Sequence, residues 1–172
     1  MADPELQTDQ TDRTATSPSI AVILPCHNEA IAIADTVAGF RSALPDALIV
    51  VCDNASSDAT IEKAEAAGAA VIRQPLRGKG NAVRRLFAEV DADVFVMADG
   101  DATYDPSSAP EMIQRLIEER LDMVIGWRKG QGDGQYRFGN VAGNRFYSRL
   151  FSLLFNMRVN DLFSGYRIMS RR

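Results

Sequence analysis

No stretch of this sequence approaches the eighteen or so consecutive apolar residues that a membrane span needs. Its first residues also lack the basic-then-apolar pattern of a secretory signal, so the expected location is the cytoplasm. Cysteine is scarce: Cys26 and Cys52 each sit near the end of an apolar run, which in a reducing compartment reads as two small buried hydrophobes. The lone histidine, His27, forms no C-x-x-C or H-x-x-x-H spacing with them. These absences argue against a zinc site and leave any metal to hard carboxylate oxygens. No internal repeat is visible.

What is present suits one soluble domain: 172 residues, 46% apolar and 24% charged. The net charge of −4 conceals an asymmetry. From Arg128 onward nine basic residues face only Asp133 and Asp161, giving +7, so the remainder carries −11. A basic C-terminal third suits a phosphate-bearing partner or an anionic membrane surface; a solvated basic face is the plainer reading. Residues 1–18 hold almost no large apolar side chains and are expected to be a disordered tail, leaving 19–172 as the folded domain.

From Ile20 onward, short apolar runs alternate with helical periodicity. Strands are expected at 20–24, 47–52, 70–72, 94–98 and 123–126. Helices are expected at 29–44, from Ser56 and Ser57 to Gly68, at 79–90 and at 107–120. Asn28 is a candidate N-cap for the first helix and Asp58 a cap for the second. Strands that are apolar throughout, separated by helices, imply an α/β fold with a mostly parallel sheet covered on both faces. Ligands in such sheets bind beyond the carboxyl ends of the strands, and the polar residues cluster at those points.

Asp99-Gly100-Asp101 directly follows the fourth strand, where two carboxylates can share one Mg²⁺ or Mn²⁺. A tight turn serving only the backbone is the structural alternative. Asp53 follows the second strand, placed to accept from the ring N–H of a nucleobase. The run Arg77-Gly78-Lys79-Gly80-Asn81 opens a helix in a manner suited to an anion, but is neither a dinucleotide fingerprint nor a P-loop. Near the C-terminus, 145–157 sets Arg145, Ser148, Arg149, Ser152 and Asn156 opposite Tyr147, Leu150, Phe151, Leu154 and Phe155 at helical spacing. That pattern fits either an interfacial helix or one packed on the sheet.

In order, the stretches Val22–Glu29, Asp53–Thr60, Gly78–Arg84 and Met97–Asp101 resemble the family 2 glycosyltransferases of the GT-A fold. Gly126-Trp127-Arg128 and Asn160–Arg167 narrow the resemblance to the polyprenyl- and dolichyl-phosphate sugar synthases. The resemblance implies that Pro25, Glu29 and Asp53 line a nucleoside pocket and that Lys79 lies near the base or diphosphate. It implies that Asp99 and Asp101 hold donor and metal, that Arg128 and Arg137 receive an acceptor phosphate, and that Asp161, Ser164 and Arg167 belong to the acceptor side. His27 stands where tyrosine is common, and Thr103 where mannose-type synthases often carry glutamine. Such domains continue further, so this one is expected to be incomplete at its C-terminal side.

The function expected is inverting, metal-dependent transfer of a sugar from a UDP- or GDP-linked donor to a polyprenyl or dolichyl phosphate, at the cytoplasmic face of a membrane. Peripheral membrane contact through 145–157 is part of this expectation, and nucleic acid is not. A saccharide hydroxyl acceptor is the nearest rival and would need a base, for which Asp161 is the candidate. A sugar nucleotidyltransferase would carry a Gly-rich basic loop where this chain has PCHNEA. A nucleotide-binding domain without turnover is the remaining alternative.

Overall fold

The computed structural model describes residues 17–126, 149–150, 154 and 164–171. The elements bounded within these residues are, in order, β1 (Ile20–Cys26), α1 (Ile33–Ala43), β2 (Leu48–Asp53), α2 (Thr60–Ala66), β3 (Ala70–Arg73), α3 (Lys79–Glu89), β4 (Val94–Met97), α4 (Ala109–Glu118), β5 (Met123–Ile125) and β6 (Arg167–Ser170). A single 3₁₀ turn, Pro106–Ser108, leads into α4. The strands form one sheet in the order β3-β2-β1-β4-β6-β5. β1 pairs in parallel with β2 and β4, and β2 with β3. β6 runs antiparallel between β4 and β5.

Alternation along β1 divides the core. Val22, Leu24 and Cys26 face α1 and α4, packing on Ile33, Val37, Phe40, Ile113 and Leu116. Ala21 and Ile23 face the opposite way, onto Ala82 and Leu86 of α3 and Phe95 of β4. Both faces of the sheet are thus covered, the reason its central strands read as unbroken apolar runs.

Several expectations shift, and α2 starts at Thr60 rather than at Ser56 or Ser57. β1 continues through Pro25 to Cys26, because its pairing with β4 ends at Ile23 opposite Met97 and the missing proline N–H breaks no bond on that side. The first helix starts at Ile33 rather than 29, and Asn28, at φ 57°, is not its cap. β6 was not anticipated from the sequence. Among the described residues no helix is long and apolar enough to cross a membrane.

Candidate active site

β3, β2, β1 and β4 end on one side of the sheet, so the loops after Arg73, Asp53, Cys26 and Met97 converge there. A cavity of about 230 Å³ opens among them, bordered by Pro25, His27, Glu29, Asn54, Lys79, Asp99 and Asp101. Close packing sets the loop that carries the two aspartates. A Cβ on Gly100 would lie 2.4 Å from Cys26 Sγ and 3.3 Å from Ile33 Cδ1, so only glycine lets this loop fold across the end of β1. Burial pushes the Cys26 thiol far above its usual range and that of Cys52 up to about 11. Both cysteines are free and buried, hydrophobes as the sequence suggests.

Asp53 ends β2 with 3% of its surface exposed. Its Oδ2 accepts from the Ser56 N–H at 3.2 Å, while Oδ1 is buried with no hydrogen-bond partner among the described residues. A buried carboxylate oxygen left unpaired is costly, and Asp53 itself is not among the residues that line the cavity.

Side chains staple the surrounding loops. Asn28 Oδ1 accepts from the Ser57 N–H at 2.8 Å, and the Asn28 N–H donates to Ser56 Oγ at 2.9 Å. Asp58 accepts from the N–H groups of Ala30 and Thr60, both at 3.1 Å, and from the Thr60 hydroxyl. Asp58 is not the cap expected of it, since Ala59 stands at the N-cap of α2; its carboxylate instead ties the two loops, and these bonds, the Thr60 hydroxyl first, hold it below the usual range. The backbone carbonyl of Asn54 lies 2.8 Å from His27 Nδ1, which makes that nitrogen the donor.

Asn54 does more than its place in the sequence suggests. Its Nδ2 donates to the carbonyls of Gln74 at 3.1 Å and Leu76 at 2.7 Å, and its Oδ1 accepts from the Gly78 N–H at 2.6 Å. Gly78 has φ 125°, a conformation open to glycine, and α3 begins at the next residue, Lys79. The sequence signal was an amide beside the candidate ligand Asp53, with no sign of what it would tie down.

Three carboxylates contribute negative charge to the cavity. Burial first, then the charges of Asp101 and Asp99, raises the Glu29 carboxyl above its usual range. The Lys79 ammonium is paired with Asp99 Oδ1, so this carboxylate already attracts a cation. Asp101 Oδ1 accepts from the Thr103 N–H at 3.0 Å. Oxygen donors and concentrated negative charge suit Mg²⁺ or Mn²⁺. These ions are commonly held by one or two carboxylates, with phosphate and water completing the shell. Among the described residues no three His, Cys, Asp or Glu side chains form a closed cage.

On the other flank, Ser164 is buried and its Oγ accepts from the Tyr166 N–H at 3.2 Å. Arg167 Nε donates to the Ser164 carbonyl at 3.1 Å, opposite Met97 and Ile125 in the sheet. Arg128, Arg137 and Asp161 lie outside the described residues, as does most of 145–157; Arg149, Leu150 and Leu154 are helical.

The model of glycosyl transferase family 2 matches residues 21–172. Protein RfbJ of Shigella flexneri is 55% identical over 123 residues, covering 71% of this chain and 95% of that protein. The dolichyl-phosphate hexose transferase of Haloferax volcanii is 34% identical over 152 residues, 88% of this chain and 66% of that one. Glucosyl-3-phosphoglycerate synthase from Mycobacterium tuberculosis, crystallised with Mn²⁺ and UDP-glucose, superposes with a TM-score of 0.71 at 26% identity. That match covers 90% of this chain and 57% of the synthase, so the chain spans little more than half of its structural neighbour.

Proposed function

Because this chain belongs to glycosyl transferase family 2, we propose that it moves a hexose from a UDP- or GDP-linked donor to a polyprenyl or dolichyl phosphate. The observation that carries the donor half is the unpartnered Asp53 Oδ1 in a fold whose cavity is edged by Glu29, Lys79, Asp99 and Asp101. A nucleobase ring N–H is the donor that oxygen lacks. Lys79 meets the diphosphate once it leaves Asp99. Asp99 and Asp101 would hold a divalent cation, which would neutralise the charge that develops on the departing nucleotide.

The acceptor half is supported by the likeness to a dolichyl-phosphate hexose transferase and by the basic C-terminal third. A phosphate monoester has its second pKa near about 6 and is largely ionised at neutral pH. It attacks the anomeric carbon without a strong base, and attack opposite the leaving nucleotide inverts that centre. Positioning and charge neutralisation then carry the rate. Arg128 and Arg137 are the proposed phosphate ligands, with Asp161 ordering the acceptor loop. Leu150 and Leu154, each in helical conformation and four residues apart, are 40% and 68% exposed, which suits contact with lipid at a membrane face.

Thermal melting with UDP, GDP and their sugars, with and without Mn²⁺, tests the donor assignment. At a hundredfold excess over Kd, the cognate nucleotide with Mn²⁺ should raise Tm by roughly 5–10 °C. Asp101→Ala should remove the metal dependence, and Asp53→Asn should weaken binding about 10- to 100-fold by presenting a donor to a donor. No shift with any nucleotide defeats the reading. Transfer of labelled sugar into an extractable polyprenyl phosphate then tests the acceptor.

A further inference from the structure

Gly165 is the point where the C-terminal segment touches the donor carboxylate. A Cβ built on it would lie 2.7 Å from Asp99 Oδ2 and 3.0 Å from both Cγ and Oδ1. Its φ is not in the left-handed region, so what this position requires is space, which the Asp99 carboxylate fills. The N–H of the same glycine donates to the Tyr104 hydroxyl at 2.7 Å, in a buried contact between residues 61 positions apart.

Tyr104 belongs to the loop that begins with Asp99 and Asp101. It is 8% exposed, and its ring packs against that of Tyr166 with centroids 5.3 Å apart. Tyr166 in turn meets Phe40 of α1 edge-on at 6.1 Å and fills the space where Gly126 has no side chain. The hydroxyl of Tyr104 is therefore a fixed anchor: its ring cannot drift without disturbing the core. Asp99 is held between Lys79, paired with its Oδ1, and the backbone of Gly165.

We infer that Tyr104 is a positioning residue for the metal-binding carboxylate, its hydroxyl holding the Gly165 backbone against Asp99. This inference rests on the donor reading above. Asp99 cannot turn toward Gly165, so it stays directed at the cavity where a cation and a diphosphate would lie. Losing the hydroxyl leaves the Gly165 N–H buried without its partner. The segment then relaxes, and Asp99 gains room to turn toward Gly165 and away from the cavity. The element that leads into the acceptor side thus sets the geometry of the donor side.

The test titrates Mn²⁺ into the full chain at fixed UDP or GDP and follows nucleotide binding by calorimetry. Tyr104→Phe should raise the Mn²⁺ concentration for half-maximal binding about tenfold, the loss of about 1.4 kcal/mol at the metal. Nucleotide affinity at saturating Mn²⁺ should stay within about twofold of the parent chain. Gly165→Ala, which presses a methyl group onto the carboxylate, should shift the midpoint in the same direction and further. A loss of folding stability alone would not move the Mn²⁺ midpoint while sparing saturated affinity. An unchanged midpoint in both variants overturns the inference, as does a loss that saturating Mn²⁺ fails to restore. If the parent chain binds neither nucleotide with Mn²⁺, the donor reading falls and this inference with it.

Discussion

Glu29 enters the cavity wall with its carboxyl held above the ordinary value of 4.5, by burial first and then by the charges of Asp101 and Asp99. The folded chain therefore binds that proton more tightly than the unfolded chain. The stability this gives is full below the unfolded value and is lost as pH rises through the folded one. Glu29→Gln has no such loss. Its Tm should match the parent at about pH 4 and exceed it near about pH 7, with the gap opening across the titration of Glu29. Melting curves over that range check the sign, and a variant less stable than the parent at neutral pH refutes it. That Asp53, Asp99 and Asp101 lie at or just beyond strand ends was legible in the sequence, and strand ends are where such sheets bind ligands. Tyr104 and Gly165 were not legible. Each acts through a partner some sixty residues away, and local spacing carries no trace of that.

The elements that matter most to the site are the loops, and they are held by side chains rather than by their own backbone ladders. Asn54 ties residues 74, 76 and 78 to the end of β2 with three hydrogen bonds of 2.6–3.1 Å. Asn54→Ala strands two carbonyls and one N–H, a cost of about 2–3 kcal/mol to folding. Lys79 follows Gly78 at the start of α3, so nucleotide affinity should fall along with stability. Urea unfolding beside a UDP and GDP titration measures both; stability within about 0.5 kcal/mol of the parent would mean that water replaces the amide at little cost. The helix periods of α1, α3 and α4 were readable, since their apolar faces repeat as amphipathic helices do. The start of α1 was not. Asn28 resembles an N-cap, but its side chain bonds Ser57 on the neighbouring loop instead, and a tertiary bond overrode the local preference.

Among the described residues the sheet closes around β6, a strand whose local pattern carries little β signal. Arg167-Ile168-Met169-Ser170 is short and half polar, yet it lies antiparallel between β4 and β5 and completes the sheet. Alternation of strands and helices foretells parallel neighbours, whereas a strand returning from the far end of the chain has no such signature. Its insertion has two consequences. β4, which leads into Asp99, is paired on both edges instead of one. The residues that precede β6, Ser164 to Tyr166, are drawn over the cavity's flank, where Gly165 meets Asp99. Ile168 is the pivot of this arrangement: fully buried, it pairs with Val96 on one side and Val124 on the other. Ile168→Ala should lower folding stability by about 2–5 kcal/mol through lost burial and the cavity left behind, a large share of the roughly 5–15 kcal/mol typical of a domain. Denaturant unfolding gives the number. A loss below about 1 kcal/mol would mean that β6 is only loosely attached; the clamp on Asp99 would then lack the support that its geometry requires.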